Sequence, residues 1–338
     1  MISASEPTRA GAVASTTVVT HNDPAAGTRV PGPTPATRRV LSARAVTGAT
    51  RAFEDSLHPK TFRWLAALFE ERVGIRLPPA KLCLVESRLR RRVRALGLAS
   101  LREYAALLKA PERLAVEFPN LVNALTINKT DFFREPAHFS CLRDRALPDV
   151  MARTGAGHTR PLSIWSAACS TGAEPYTMAM VLSEYARTQG AFRSSVLGLD
   201  IDTDALAVAR RAVYPAAMSD PIPEALRRRY LLKAREPQNA TVRIAPEVRR
   251  MVTFQPINLL SPDWGPAGSA DIIFCRNVLI YFERHNQEKA LRGLCERLRP
   301  GGYLFVSHSE ALHGMALPLR SVAAAVYQRL GAAPTGEA

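Results

Sequence analysis

Short polar clusters follow several apolar runs in this chain, and their side chains are of types that bind charged or polar ligands. The runs at 161–164 and 196–199 are typical of buried strands. Glu174 follows the first run, Asp200 ends the second, and Arg276 comes directly after a third. In open α/β sheets, ligands bind at the carboxyl ends of the strands. We therefore expect these side chains to share one site, where Asp200 could accept hydrogen bonds from ribose hydroxyls.

The connection after the first run is made of small residues. Positions 166–172 read Ser-Ala-Ala-Cys-Ser-Thr-Gly, so the backbone can pass close to a ligand. Pro175 suits the first position of the helix that follows, because its missing N–H is not needed there. The turn lacks G-x-G-x-x-G, so a tight connection without a ligand remains an alternative for this stretch taken alone.

The charge balance is strongly basic, since 45 Lys and Arg against 30 Asp and Glu give a formal net charge of +15. We expect a negatively charged partner, and nucleic acid, an anionic membrane surface and an acidic protein all qualify on composition. No apolar run approaches the roughly 20 residues of a membrane helix, and the N-terminus lacks a secretory signal pattern. Five scattered cysteines without a C-x-x-C pair indicate reduced thiols in a cytoplasmic protein.

The sequence predicts a tail followed by two domains. Residues 1–52 are predicted to be a disordered tail. Residues 57–150 have helical periodicity, with a capping box from Ser100 to Glu103, and predict a small all-helical domain. Residues 155–332 alternate strand and helix, which predicts an α/β domain with a mostly parallel sheet. Its candidate strands are 161–166, 194–200, 251–257, 270–276 and 302–307, and a small β hairpin subdomain is inserted at about 228–250.

One predicted helix carries an unusual run of arginines. Its apolar stripe extends from Leu82 to Leu96, and five arginines lie away from that stripe with no acid after Glu86 to balance them. A solvated helix face is one interpretation. We favour an anion-docking surface of outward-facing arginines, formed by Arg88, Arg91, Arg92 and Arg94.

Six stretches occur in the order and spacing of a known family. They are N-K-T-D-F-F-R-E from Asn128, W-S-A-A-C-S-T-G-A-E-P-Y from Trp165, D-I-D-T from Asp200, N-L from Asn258, F-C-R-N-V-L-I-Y-F from Phe274 and H-S-E from His308. This pattern resembles the CheR family of chemotaxis-receptor methyltransferases and extends over about 57–330. The resemblance implies a Rossmann-like class I methyltransferase sheet, joined to the small all-helical domain and carrying the inserted β subdomain.

The resemblance also implies an S-adenosylmethionine-dependent glutamate O-methyltransferase that produces S-adenosylhomocysteine. Its substrates would be the acidic methylation helices of chemoreceptor cytoplasmic domains, and it would act as a cytoplasmic monomer without a metal. Arg134 and Tyr281 match positions beside the methyl-transfer centre. The hairpin matches a subdomain with which some members bind a tether peptide at the receptor C-terminus. The cofactor contacts would fall on Asn128, Thr130, Arg134, Glu174, Asp200, Asn258, Leu259, Arg276 and Asn277.

Such a transfer needs little acid–base catalysis. A glutamate side chain is already ionised at neutral pH, and its charge partly cancels that of the sulfonium in the transition state. Positioning both partners in a water-poor pocket can supply roughly 7–11 kcal/mol. The sequence accordingly has no Ser-His-Asp arrangement, no G-x-S-x-G elbow and no metal-ligand spacing. Tyr281 could orient the carboxylate, and Arg134 could bind the cofactor's carboxylate through two hydrogen bonds.

Four features depart from the family pattern. Ile127, Ala173 and Ser307 replace residues common in the family, and the hairpin tip at 234–240 has no glycine, which leaves binding of a tether peptide open.

Two other functions remain as alternatives. A nucleic-acid methyltransferase would explain the basic charge, but 276–281 replaces the usual D/N-P-P-Y/F turn and no aromatic platform for bases is evident. A non-catalytic module of the same fold is the other alternative.

Overall fold

The computed structural model describes residues 55–234, 240–262, 268–310 and 312–331. The predicted tail at 1–52 and residues 235–239 of the predicted hairpin tip therefore lie outside the described residues. Within the described ranges, no helix combines the length and apolarity needed to cross a membrane. The N-terminal helices are α1 Pro59–Val73, α2 Leu82–Ala95, α3 Leu101–Lys109 and α4 Pro111–Leu125.

The ends of these helices follow from local sequence. Gly74 terminates α1 in the left-handed conformation at φ 81°. Ser100 begins α3, and its Oγ accepts a hydrogen bond from the Glu103 N–H at 3.2 Å. The Glu103 carboxylate accepts a hydrogen bond from the N–H of Ala99 at 2.7 Å. In a standard capping box it would accept the N–H of the cap residue, Ser100. The apolar faces of the four helices meet in one core that includes the fully buried Phe69, Leu89, Tyr104 and Leu121.

An α/β arrangement follows, with a short three-stranded sheet inserted between its second and third parallel strands. Its elements are α5 Pro136–Cys141, α6 Leu147–Thr154, β1 Leu162–Ala167, α7 Ala173–Gln189, β2 Ser194–Asp200, α8 Thr203–Arg211, β3 Val213–Pro215, α9 Glu224–Tyr230, β4 Leu231–Lys233, β5 Thr241–Ile244, α10 Pro246–Arg250, β6 Val252–Pro256, β7 Ala270–Cys275, α11 Arg284–Arg297, β8 Leu298–Phe305, β9 Leu319–Ala323 and β10 Val326–Arg329.

The main sheet has seven strands in the order β6-β2-β1-β7-β8-β10-β9. The first five are parallel, whereas β10 pairs antiparallel with both β8 and β9. From β1 the chain proceeds outward to β2 and β6, then returns to place β7 on the other side of β1. This reversal opens a crevice between the carboxyl ends of β1 and β7, where ligands of such sheets bind.

The structure corrects four details of the sequence-based prediction. Helix α7 begins at Ala173, so Pro175 occupies its third position and not its first. Strand β8 begins at Leu298 rather than 302. The antiparallel strands β9 and β10 were not predicted from the sequence. The small sheet has the order β3-β5-β4, so it also includes a strand that lies before the predicted subdomain range.

Candidate functional site

A pocket lies between the helical domain and the carboxyl ends of the parallel strands, and it contains every predicted cofactor residue. Among the residues that line it are Asn128, Thr130, Arg134, Glu174, Asp200, Asn258, Leu259, Arg276 and Asn277. Tyr281 and Arg88 line it too. The helical domain contributes a mainly apolar wall made of Val73, Ile75, Leu77, Leu84 and Val85.

Asp200 is buried at the end of β2, and backbone donors determine its orientation. Its Oδ2 accepts the Ser170 N–H at 2.6 Å and its Oδ1 accepts the Asp202 N–H at 2.9 Å. Burial raises the pKa of Asp200 to about 6, although these backbone hydrogen bonds oppose the rise. Each carboxylate oxygen has a further lone pair, so the group can still accept hydrogen bonds from a ligand's hydroxyls.

The turn between β1 and α7 has a strained backbone beside Asp200. Ala168 and Ser170 have φ values of 62° and 52°, a left-handed conformation that residues other than glycine adopt at a cost of order 1–3 kcal/mol each. Gly172, at φ 91°, has no room for a side chain, because a Cβ there would lie 2.8 Å from the Ala209 Cβ. The absence of a side chain at Gly172 therefore lets this turn pack closely against Ala209 of α8.

Glu174 and Arg276 form a buried ion pair across the crevice. Glu174 Oε2 accepts a hydrogen bond from Arg276 Nε at 2.7 Å, and Glu174 Oε1 accepts one from Ser166 Oγ at 2.7 Å. Arg276 also donates to the carbonyl of Arg134 at 2.8 Å. Since both side chains bond mainly to the protein, we infer that they position the loop that carries Arg134 as well as lining the pocket.

Glu135 accepts several hydrogen bonds on the outer side of this ion pair. Its carboxylate lies 2.7 Å from Ser307 Oγ and 3.0 Å from His308 Nδ1. Burial alone would raise the pKa of Glu135, but the Ser307 hydrogen bond and the charge of Arg276 keep it below its usual value. Glu135 itself has φ 57°, so this network maintains a strained loop conformation.

Glu135, His138 and His308 are close enough to suggest a metal site, but their geometry argues against one. The two imidazole rings are stacked with their centroids 4.7 Å apart and an interplanar angle of 6°. Their lone pairs lie in nearly parallel ring planes and cannot converge on one ion. In addition, the Arg276 guanidinium lies 3.2 Å from His138 Nδ1. Burial and that positive charge lower the pKa of His138 to about 4, so the ring is neutral.

Glu310 organises the loop that contains Asn277 and Tyr281. Its buried carboxylate accepts the backbone N–H groups of Asn277, Val278, Leu279 and Ser307 at 2.8–3.0 Å. Burial raises the pKa of Glu310, and the four donors counteract that rise. Asn277 has φ 59°, and its side-chain amide donates to Ser307 Oγ at 2.7 Å. The glutamate of the H-S-E motif thus fixes the backbone conformation of the loop that contains Asn277 and Tyr281.

Asp202 connects the helical domain to the sheet. Its Oδ2 accepts hydrogen bonds from Thr126 Oγ1 at 2.5 Å and Asn128 Nδ2 at 2.6 Å. Its Oδ1 caps the start of α8 through the Ala205 N–H at 2.9 Å. The side-chain amide of Asn128 is therefore bonded to Asp202, and the Ser170 hydroxyl contacts the Asn128 carbonyl at 3.1 Å.

Asn258 forms a second connection of the same kind. Its Nδ2 donates to the Arg72 carbonyl of the helical domain at 2.6 Å, and its Oδ1 accepts the Leu260 N–H at 3.0 Å. Nearby, the Arg76 N–H donates to the Tyr281 carbonyl at 3.0 Å. Both walls of the pocket are therefore bonded to each other close to the candidate site.

Arg134 and Tyr281 complete the pocket. One Arg134 nitrogen donates to the Lys129 carbonyl at 3.2 Å, which turns the guanidinium along the loop that starts at Asn128. The Tyr281 ring is partly buried, and the Lys81 ammonium nitrogen lies 5.7 Å from its centroid. Lys81 also lines the pocket, although it was not among the predicted site residues.

The predicted arginine surface on α2 is wrong in part. Arg92 is not directed to solvent, because its guanidinium makes two hydrogen bonds, at 2.8 and 3.0 Å, to the buried Glu117. Arg88 is half-buried and donates to the carbonyls of Leu125 and Thr126 at 3.0 and 2.6 Å. Burial and the charge of Arg91 lower the pKa of Arg88. Arg91 and Arg94 are exposed, as predicted.

Sequence reasoning missed the residues that act through backbone groups. Asp202 and Glu310 belong to the recognised D-I-D-T and H-S-E stretches, yet only their neighbours were considered for chemistry. The available signal was an acid within a few residues of a strand end, where unpaired N–H groups of a turn or helix start need acceptors. Glu117 gave no such signal, since it lies in the middle of α4 and not near a strand end.

Two family models match the chain over adjacent ranges. One is described as "CheR methyltransferase, SAM binding domain" and matches residues 128–327. The other is described as "CheR methyltransferase, all-alpha domain" and matches residues 60–126. The boundary between them falls at Asn128, where the chain passes from α4 into the pocket loop.

Named relatives are similar to this chain over most of their own length. "Chemotaxis protein methyltransferase 2" of Pseudomonas aeruginosa is 43% identical over 256 residues, which cover 75% of this chain and 87% of that protein. "Chemotaxis protein methyltransferase" of Klebsiella aerogenes is 40% identical and covers 74% and 82%. The Escherichia coli protein with the same name is 39% identical and covers 74% and 83%.

Proposed function

The chain belongs to the CheR methyltransferase family, and we propose that it transfers methyl groups from S-adenosylmethionine to glutamate side chains of chemoreceptor cytoplasmic domains. One observation carries this proposal: Tyr281 and Arg134 line the same pocket as Asp200, opposite an apolar wall from the helical domain. The family match supplies the cofactor. The names of the relatives support the chemotaxis receptor as the partner.

The donor groups in the pocket suit S-adenosylmethionine. Asp200 would accept hydrogen bonds from the ribose hydroxyls, since its carboxylate is fixed and still has acceptor capacity. Arg134 would bind the carboxylate of the amino-acid end, for which a planar guanidinium is well suited. The remaining contacts are proposed for backbone and side-chain atoms of Asn128, Thr130, Glu174, Asn258, Leu259, Arg276 and Asn277.

The proposed reaction forms a methyl ester by direct displacement. When bound, S-adenosylmethionine would supply a methyl group on a sulfonium, which a carboxylate oxygen of the receptor glutamate would accept while the C–S electron pair stayed with sulfur. No proton is transferred, so the chain needs no general base. Tyr281 would orient the attacking carboxylate through its hydroxyl, and the apolar wall would exclude water from the pocket.

Receptor docking is proposed for the exposed arginines of α2. Residues three or four positions apart lie on one helix face, so Arg91 and Arg94 continue the row that starts with Leu84 and Arg88 in the pocket wall. An acidic receptor helix would meet this positive face as its glutamate entered the pocket. The small sheet of β3, β5 and β4 is proposed as the place where a receptor tether peptide could bind.

Transfer of labelled methyl groups would test the function. The full chain would be incubated with S-adenosylmethionine labelled in its methyl group and a panel of chemoreceptor cytoplasmic fragments. We expect label on receptor fragments that is released as methanol by mild alkali, which identifies an ester, and none on fragments whose methylated glutamates are changed to glutamine. Label on RNA or DNA would support the nucleic-acid alternative. Cofactor binding without any transfer would support the non-catalytic one.

A further inference from the structure

Lys81 is a cation in the pocket wall that has no part in the cofactor contacts or the methyl transfer proposed above. It lies directly before α2 and lines the pocket together with Leu77, Leu84 and Val85. Its ammonium nitrogen lies 5.7 Å from the centroid of the Tyr281 ring. Within the described part of the chain, the side chain forms no ion pair with a carboxylate.

Three of the other four cations that line the pocket have partners in the protein. Arg276 is paired with Glu174, Arg88 donates to two carbonyls at the end of α4, and Arg134 donates to the Lys129 carbonyl. Lys129 is exposed on the loop after α4. Arg88 also interacts with Tyr281 through its charge, but its guanidinium already donates to two carbonyls. Lys81 lies over the Tyr281 ring with its ammonium donors available to an incoming group.

The surroundings of Lys81 match the chemistry of a glutamate side chain. Such a side chain has two methylene groups followed by an anionic carboxylate. The apolar residues of the wall suit the methylene groups, while an ammonium beside a phenol suits the carboxylate. We propose that Lys81 binds the ionised carboxylate of the substrate glutamate and makes the enzyme discriminate against glutamine. This inference rests on the proposed glutamate methylation.

The charge change during the reaction predicts which kinetic constant Lys81 affects. The carboxylate carries a full negative charge when it binds, and it loses that charge as the ester forms. An ammonium beside it therefore stabilises the bound substrate more than the transition state. Lys81 should lower KM without raising kcat, and it should favour release of the uncharged ester product. A glutamine amide is neutral and would gain little from the contact.

Steady-state kinetics with glutamate and glutamine receptors would test this role. The full chain, Lys81→Met and Lys81→Arg would be compared on a receptor fragment that the unaltered protein methylates. Lys109→Met serves as the matched control, because Lys109 is an exposed lysine at the end of α3 and does not line the pocket. A fragment with glutamine at the methylated positions would be used as a competitive inhibitor. Cofactor affinity measured by calorimetry would show that each variant is folded.

We expect Lys81→Met to raise KM about tenfold, since a hydrogen bond to a charged group contributes roughly that factor. Its kcat should be unchanged or higher, its inhibition by the glutamine fragment unchanged, and Lys81→Arg should restore part of the affinity. Lys109→Met should leave all constants unchanged. The inference is wrong if Lys81→Met leaves KM unchanged, or if affinity for the glutamate and glutamine fragments falls equally. Absence of methylation by the unaltered protein would instead refute the proposed function itself.

Discussion

Asp200 is a buried acid whose ionisation should control cofactor affinity. Burial raises its pKa to about 6, well above the ordinary value of 3.8. In the proposed complex, ribose hydroxyls would donate to the ionised form, so the ligand would bind the deprotonated protein. The affinity should therefore approach its full value about one pH unit above the pKa of about 6 and fall by up to about tenfold per pH unit below that pKa. Calorimetric titration with S-adenosylmethionine between about pH 5 and pH 8 would measure how the affinity depends on pH.

Asp200→Asn is the control for that pH dependence. It has nearly the same shape but no ionisable carboxyl, so it should bind the cofactor more weakly at neutral pH, by about tenfold, because a hydrogen bond to a charged acceptor is lost. Its affinity should then change little below pH 7. A variant that kept the pH dependence of the unaltered protein would assign the titration to another group.

Tyr281 offers a test of orientation in the proposed reaction. If its hydroxyl orients the substrate carboxylate, Tyr281→Phe should lower kcat about tenfold, the effect of losing one hydrogen bond made at the reacting group. The affinity for S-adenosylmethionine should stay within about twofold. Tyr327→Phe, on β10, is a matched control and should keep full activity. Full turnover by Tyr281→Phe would leave the ring with only a packing role.

The sequence predicted which residues meet in the pocket better than it predicted what each one contacts. Strand ends in a parallel sheet lie at one edge, so the position of Asp200 or Asn277 follows from strand assignment alone. The bonding partners do not follow, because they depend on three-dimensional neighbours far apart in the chain. Arg276 pairs with Glu174 102 positions away, and Asn128 donates to Asp202 74 positions away.

Arg88 joins α2 to the carboxyl end of α4. Its guanidinium donates to the last carbonyls of that helix, where a positive charge is also favourable. Thr126 then bonds Asp202, which bonds Asn128 in the pocket. Arg88→Met should therefore lower the free energy of unfolding by about 1–3 kcal/mol and weaken cofactor binding several-fold. Denaturant unfolding and calorimetry would measure the two effects.

Arg94→Met is the comparison for this prediction. Arg94 is exposed on the same helix, so its loss should change the unfolding free energy by less than about 0.5 kcal/mol. If Arg88→Met were as stable as Arg94→Met and bound cofactor normally, the contacts at the end of α4 would not contribute to the site. Arg88 would then have only the docking role that the sequence suggested.

Some elements were not predictable because their local signals are unusual. The turn between β9 and β10 consists of Ala324 and Ala325, and Ala325 has φ 56°, where glycine or asparagine is the usual signal. Strand β8 passes through Pro300, Gly301 and Gly302, which normally indicate a break. Gly301 has φ 76° and the pairing of β7 with β8 shifts register there, as at a β-bulge.

The excess of basic residues in the whole molecule should affect the rate at which it associates with the receptor and not the rate of methyl transfer. Arg91 and Arg94 are exposed beside the pocket wall, whereas Arg90 and Arg92 are paired with Asp55, Glu86 or Glu117. The effective docking charge is therefore smaller than the sequence alone suggested. Attraction between these arginines and an acidic receptor helix would raise the rate of association.

Reversing both charges with Arg91→Glu and Arg94→Glu should raise KM for the receptor at least about tenfold, because like charges now oppose one another. Cofactor affinity should not change, since neither residue lines the pocket. The control is Lys289→Glu with Arg292→Glu on α11, which alters net charge equally at exposed positions of the other domain. Only the α2 variant should show the effect.

Salt provides the independent check on this steering. Attraction between exposed charges is screened over about 8–10 Å at physiological ionic strength, so added salt should raise KM of the unaltered protein. The α2 variant should respond less, because it has lost the attractive pair, and kcat should be insensitive in both. Methylation rates that ignore both the charge reversal and the salt would make this part of α2 an ordinary solvated helix face.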